Sequence, residues 1–126
     1  MKQVNDAPRY LNLFRIHLPI TAVLSIGHRI TGVLLAVCIP AVIYLLDLSL
    51  RGHAGYAAAA GFFHGTGIRF LTAVIAWAFA HHALAGVRFL LLDLHVGIAK
   101  PSARASAWTV NVGGIMVFML AAAALL

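Results

Sequence analysis

Three long apolar stretches, separated by short segments richer in glycine and charge, form the main pattern of this chain. They cover residues 19–50, 68–92 and 108–126. A helix that crosses a hydrocarbon core about 30 Å thick needs roughly 20 apolar residues, so each stretch is long enough for one crossing. The pattern predicts an all-α integral membrane protein, with three transmembrane helices in a single domain of residues 1–126.

The first stretch is longer than one crossing requires. It opens at Pro19, which suits the start of a helix because the amide hydrogen that proline lacks would have no partner there. A helix of this length is roughly 45 Å long at 1.5 Å per residue, so its first turns are expected in the head-group layer. Pro40 lies within the stretch, where proline is a common cause of helix kinks.

Two connections join the three stretches. Residues 51–65 contain several glycines and two histidines, and they predict either a loop or a surface helix. Residues 97–104 contain a glycine, a proline and two basic residues, and they predict a short polar connection.

Composition excludes a soluble protein. Of 126 residues, 63% are hydrophobic and only 10% are charged, which leaves too little polar surface to coat a soluble globule. The net charge is +6, but the nine Lys and Arg residues are spread along the chain. Anchoring at the lipid surface explains them better than nucleic-acid binding, which would need a basic patch.

The distribution of basic residues predicts the orientation in the membrane, because Lys and Arg near a span tend to remain cytoplasmic. Three precede the first stretch, two lie in the second connection and two flank the first connection. In that order they are Lys2, Arg9 and Arg15, then Lys100 and Arg104, then Arg51 and Arg69. We therefore expect a cytoplasmic N-terminus and a C-terminus on the periplasmic or external side. The absence of an Arg- and Ser-rich transit peptide favours a bacterial inner membrane.

A first group of polar residues lies in the first stretch, where the sequence SIGHR occupies residues 25–29. Helical spacing places Ser25, His28 and Arg29 on one side, which the small residues Thr21 and Gly32 extend. Such groups are costly within a span. Arg29 could extend to the head groups while His28 caps a neighbouring helix. Alternatively, the strip binds an anionic or carbonyl-bearing ligand, with Arg29 as the charge and Ser25 as the hydroxyl donor.

A second group is the pair His81 and His82 in the second stretch. A neutral imidazole within a span either hydrogen-bonds to another helix or ligates a metal. Ala78, Ala85 and Gly86 lie one turn from His82, and small neighbours would let a flat macrocycle approach the helix closely. This argument selects His82 as the candidate ligand, because adjacent helical residues differ by about 100° in direction. His81 is then assigned a structural role.

These residues carry a family resemblance. The sequence ITAVLSIGHRITGV of residues 20–33 resembles the S-I-x-H-R-[IV]-[TS]-G signature of the cytochrome b membrane-anchor subunit of succinate dehydrogenase. A second signature, H-x-x-x-G-[IV]-R-x-x-x-x-D, is matched by His82, Gly86, Val87, Arg88 and Asp93. The resemblance covers nearly the whole chain. Two departures are Phe89, where many members have a histidine, and Tyr10, where an N-terminal Arg-Pro is common.

The resemblance implies a function and a set of partners. In this family a second three-helix anchor subunit completes the helical bundle, and the pair holds one haem b and anchors a flavoprotein and an iron–sulfur subunit. By this resemblance His82 would be an axial haem ligand, and the second would come from the partner anchor. His28 and Arg29 would lie near the haem propionates, while Ser25 and Arg29 would line the quinone site. Electrons from succinate would then reduce a membrane quinone.

The chain by itself is not expected to be a complete enzyme, because it has no nucleotide fingerprint, flavin-binding loop or cysteine cluster for an iron–sulfur centre. Two alternatives remain open. One is a fumarate reductase anchor, which runs the same couple in the opposite direction. The other is a haem-free structural membrane protein in which His28, Arg29 and His82 only pack helices.

Overall fold

The computed structural model describes residues 17–126, which form four α-helices and one 3-10 turn. The helices are α1 (Ile20–Ser49), α2 (Gly52–Gly61), α3 (Thr66–Asp93) and α4 (Lys100–Leu125), with the 3-10 turn at Phe62–His64. The helices α1, α3 and α4 are long and apolar enough to cross a membrane. The prediction of an all-α protein with three transmembrane helices is therefore confirmed. Lys2, Arg9, Tyr10 and Arg15 lie outside the described residues.

The largest difference from the sequence pattern is the start of the last helix. It begins at Lys100, well before the apolar stretch that opens at residue 108. Pro101 lies in its first turn, where proline costs no helical hydrogen bond. The polar connection is therefore shorter than expected. In the first connection, α2 corresponds to the surface-helix alternative, and α1 runs without interruption through Pro40.

The chain reverses direction between α3 and α4 through a tight C-terminal cap. The N–H of Val96 donates to the carbonyl oxygen of Leu91 at 2.8 Å, and that of His95 to Leu92 at 2.9 Å. This is the bonding pattern of a Schellman cap, in which the residue after the helix end is left-handed. His95 takes that conformation with a φ of 61°. Glycine usually occupies such a position, so the sequence carried no clear signal for the turn.

Helix α3 packs against both α1 and α4, which also contact each other. The buried cluster at their centre consists of Leu24, Ala85, Ala107 and Val110. Three of these four residues are alanine or valine. Small side chains allow helix backbones to approach closely in a membrane. The remaining large apolar side chains mostly face outward. The bundle therefore has a thin core and an extensive apolar exterior.

Two arginines of α3 hold α4 near its two ends. Arg88 is only 6% exposed; its Nε donates to Ser106 Oγ and its Nη2 to the carbonyl oxygen of Ala103, both at 2.9 Å. At the other end, Arg69 Nη1 donates to the carbonyl oxygen of Leu125 at 3.5 Å. These contacts join the end of α3 to the start of α4, and the start of α3 to the end of α4. The two helices are therefore antiparallel.

Candidate functional site

The imidazoles of His28 and His82 lie against each other where α1 meets α3. Their ring centroids are 4.2 Å apart and their planes differ by 9°. His82 Nδ1 lies 3.1 Å from the backbone carbonyl oxygen of His28. A carbonyl oxygen can only accept, so Nδ1 carries the proton in this contact. A neutral His82 then has an unprotonated Nε2, and this nitrogen has no hydrogen-bond partner within residues 17–126.

Thr31 and Gly32 shape the surface of α1 on which His82 rests. Thr31 is fully buried, and its Oγ1 lies 3.4 Å from His82 Nδ1 and 3.0 Å from the carbonyl oxygen of His28. At Gly32, an added Cβ would come within 2.9 Å of His82 Cε1. The glycine therefore makes room for the ring, and the neighbouring turn holds its Nδ1.

His81 has a different environment from its neighbour, because it is only 3% exposed among all three spanning helices. An added Cβ at Gly27 of α1 would lie 2.9 Å from His81 Cε1, and one at Gly114 of α4 would lie 3.4 Å from its Cβ. His81 Nε2 lies 3.4 Å from Asn111 Oδ1. Its buried Nδ1 has no partner in the described part of the chain. This ring packs the helices together.

Two of the three small residues that singled out His82 in the sequence do not distinguish the two histidines. Ala78 and Ala85 are fully buried, on the same side of α3 as His81. Both alanines lie three or four residues from each histidine, so they flank both rings on a helix. Gly86, the third of these residues, lies four residues from His82 but five from His81, so it alone favours His82. Each histidine keeps one ring nitrogen without a partner in the described residues, but Nδ1 of His81 is buried, whereas Nε2 of the half-buried His82 is not.

The strip predicted on α1 divides into two parts. His28 turns toward α3, where its ring meets the edge of Phe89 with centroids 5.2 Å apart. Arg29 is exposed and has no ion-pair partner within residues 17–126, and Ser25 is half-buried. The structure thus brings His28 to His82, whereas Ser25 and Arg29 lie on a flank of α1 that groups outside the chain can reach.

An apolar groove between α1 and α3 begins beside the histidine pair. Its volume is about 760 Å³, and Gly32, which receives the ring of His82, forms one end of its lining. The other lining residues are Leu35, Ala36, Cys38, Ile39, Val42, Ile43, Thr72, Ile75, Ala76 and Phe79. The groove offers apolar surface directly next to a nitrogen that could bind a metal.

Sequence reasoning missed two side chains of this region. Thr31 belongs to the first motif, but nothing in its spacing shows that it meets a residue 51 positions later. Asn111 could have been found, because it is the single amide side chain in the last apolar stretch, and polar groups in a span usually have a partner. Its Nδ2 donates to the carbonyl oxygen of Ala107 at 2.8 Å, which leaves Oδ1 for His81.

Comparison with known proteins gives consistent matches over nearly the whole chain. The profile of the family described as Succinate dehydrogenase/Fumarate reductase transmembrane subunit matches residues 3–122. A curated protein of Coxiella burnetii, named succinate dehydrogenase cytochrome b556 subunit, is 36% identical over 121 residues. That similarity covers 90% of this chain and 92% of the relative.

Proposed function

This chain belongs to the succinate dehydrogenase/fumarate reductase transmembrane subunit family, and on that premise we propose that it binds one haem b together with a second anchor subunit and forms part of a quinone-reduction site. Its spanning helices and its bacterial relative identify it as a multi-pass inner-membrane protein. The flavoprotein and iron–sulfur subunits that we expect as further partners would supply electrons from succinate.

The hydrogen bonding of the His82 ring is the observation that supports the haem proposal. Histidines that ligate metals generally donate their other ring N–H to a carbonyl or carboxylate, which fixes the tautomer and the ring orientation. His82 makes that contact through Nδ1 to the carbonyl oxygen of His28, and its Nε2 is free to be an axial ligand. A haem held at this position would supply an iron that accepts and releases one electron.

The rest of the site is compatible with such a ligand. Residues 17–126 contain no group of three or more side chains that could hold a bare metal ion. A haem iron instead needs a single histidine from this chain, with the second axial ligand contributed by the partner anchor subunit. The guanidinium of Arg29 is exposed and suits a propionate carboxylate, which it can bind through two parallel hydrogen bonds. His28 lies close enough to His82 to share this role.

For the quinone site we propose Ser25 and Arg29, which lie one turn apart on α1. The hydroxyl of Ser25 can donate to a quinone carbonyl, and the charge of Arg29 stabilises negative charge on a quinone oxygen as it is reduced. Both side chains are accessible from outside the chain. The iron–sulfur subunit is expected on this flank, since electrons must arrive close to the quinone.

A fumarate reductase anchor remains the second candidate, because the matched family description covers both activities. The name of the Coxiella burnetii relative contains both succinate dehydrogenase and cytochrome b556. That name favours the haem-containing succinate dehydrogenase form for this chain.

Haem binding is tested by spectroscopy on the purified complex. We expect His82→Ala to abolish the b-type bands in the reduced-minus-oxidised spectrum, because it removes the ring that the carbonyl oxygen of His28 orients. His81→Ala should retain the bands while the complex unfolds more easily, by about 1–3 kcal/mol, since a buried imidazole and its contact with Asn111 are lost. Loss of the bands in the His81 variant alone would assign the ligand to the other histidine.

A pair of glycine variants tests the position of the ring without removing it. Gly32→Ala places a Cβ 2.9 Å from His82 Cε1, so the ring must shift and haem should be bound more weakly or with an altered spectrum. Gly67→Ala, also in a spanning helix, meets nothing within 4 Å and serves as the control. Identical spectra for both variants would show that this contact does not position a ligand.

A further inference from the structure

Two adjoining cavities lie at the end of the bundle that contains the start of α3 and the end of α4. The first, of about 370 Å³, is lined by His64, Arg69 and Thr72 together with apolar residues. The second is a groove of about 560 Å³ between α1 and α2. Ala60 and Phe63 line both, so the polar cavity and the apolar groove are adjacent. We infer that they bind one anionic phospholipid, with its phosphate at Arg69 and an acyl chain in the groove.

The charge of Arg69 is the first argument. Its Nε donates to the carbonyl oxygen of Phe63 at 3.2 Å, and its Nη1 to that of Leu125 at 3.5 Å. Both acceptors are neutral, and the single ion pair within residues 17–126 joins Arg51 to Asp47. At the end of a membrane span a guanidinium reaches the head-group layer, where lipid phosphates are the anions available to it. A lipid phosphate would supply that anion and accept hydrogen bonds from the guanidinium.

The groove is the second argument, since its lining is almost entirely apolar. Leu45 and Leu46 of α1 face Tyr56 and Ala59 of α2, with Phe63 at the junction to the polar cavity. The α1 residues of the lining, 42–49, extend for about 10 Å along the helix at 1.5 Å per residue. This is most of the depth of one leaflet, which is about 15 Å of the 30 Å core. The groove therefore fits part of an acyl chain that enters from the membrane surface.

The combination selects a lipid over other occupants. A soluble anion would use the polar cavity alone, and a helix of another protein would use the groove alone. An anionic phospholipid satisfies both, since its charged phosphate and its chain are covalently joined. Arg69 lies in the first turn of α3, close to the last residues of α4, which is the head-group level for these two spans. A head-group phosphate at this level can accept charge-assisted hydrogen bonds from the guanidinium.

Native mass spectrometry on the purified, delipidated complex tests the site. The complex in neutral detergent is titrated with phosphatidylglycerol or with phosphatidylcholine that has the same acyl chains. We expect one saturable site that prefers phosphatidylglycerol. Arg69→Gln should lower that affinity by about fivefold or more, the change expected for one cation near a lipid surface. Arg51→Gln, at the same end but paired with Asp47 and exposed, should leave it unchanged.

A groove variant keeps the test independent of Arg69. Ala60→Phe fills the junction between the two cavities with an exposed side chain, and it should weaken the binding of both lipids. Equal affinities for the two lipids in the unmodified complex would overturn the proposal, as would equal losses in the two arginine variants. Displacement of phosphatidylglycerol by soluble glycerol phosphate would also overturn it, because the groove would then contribute nothing.

Discussion

At the scale of single residues, the side chains available for chemistry are those that the chain does not use to hold itself together. His81 and Arg88 are buried, and each makes a side-chain contact from α3 to α4. Their role is therefore structural. Ser25 and Arg29 lie on the flank of α1, and His82 keeps one ring nitrogen free. The free groups lie within a short length of α1 and α3. This proximity is what an electron path from haem to quinone would need.

Variants of Ser25 and Arg29 test whether these residues form the proposed quinone site. Ser25→Ala and Arg29→Leu should impair quinone reduction while electron transfer from succinate to a soluble dye persists, because the dye takes electrons before the quinone. Loss of a hydrogen bond to a charged group costs about 1.5–3 kcal/mol, roughly 10- to 150-fold in rate. Arg29→Leu should be the more damaging, since the same guanidinium would also bind a haem propionate.

Steady-state assays with each acceptor measure this difference. Equal loss of dye and quinone activity would indicate a complex that had not assembled. Normal quinone kinetics in both variants would place the quinone elsewhere.

At the scale of helices, α3 organises the bundle because its two long faces meet α1 and α4 through different chemistry. Toward α1, the rings of His81 and His82 pack against Gly27 and Gly32. Toward α4 they include the hydrogen bonds of Arg88 to Ser106 and Ala103. These bonds lie in the part of α4 that precedes its apolar stretch. A charged side chain of one helix therefore stabilises the polar first turns of the next.

Removal of that side chain should weaken the start of α4. Arg88→Ala deletes two bonds from a charged donor and leaves a cavity, so the complex should lose about 2–4 kcal/mol of unfolding free energy. Arg88→Lys should recover only part of this, since an ammonium lacks the planar fork that reaches both acceptors. Arg104→Ala, an exposed position on the same turn of α4, is the control. Thermal unfolding in detergent compares the variants, and equal stability of Arg88→Ala and Arg104→Ala would contradict the role of this contact.

At the scale of the whole molecule, the bundle has a large apolar exterior that must be covered by lipid or by other helices. Its buried core is small, while large apolar side chains such as Val37, Ile43, Phe79 and Leu120 are more than half exposed. In a membrane, lipid covers part of this surface, and we expect the second anchor subunit to cover the part beside His82. The chain is thus one part of a larger helical assembly, as expected for its family.

The orientation of that assembly follows from the basic residues at the two ends of the bundle. Lys100 and Arg104 are exposed at the start of α4, so this end is expected in the cytoplasm. A reporter enzyme inserted after Gly97 should therefore be active on the cytoplasmic side, and one fused after Leu126 on the other side. A third reporter, inserted after Gly65, should be active on the same side as the reporter fused after Leu126. The reverse pattern would move the proposed haem and quinone sites to the opposite membrane surface.

The sequence by itself determined the helical class, the number of spanning helices and the family. These properties depend on the length of apolar runs and on residues close in sequence, which a membrane constrains strongly because every backbone group in lipid must be satisfied within its helix. The motifs also placed His28, Arg29 and His82 among the candidates. None of this required knowing how one helix lies against another.

Only the tertiary structure decided which histidine keeps an unpartnered nitrogen that is not buried. The rotation of α3 buries His81 between Gly27 and Gly114 and sets Nδ1 of His82 against the carbonyl oxygen of His28. Spacing places small residues near both rings, but it does not show what each ring contacts. The early start of α4 was decided in the same way, because Arg88 of α3 bonds to its polar first turns. Contacts between residues far apart in sequence depend on packing, and local patterns do not record them.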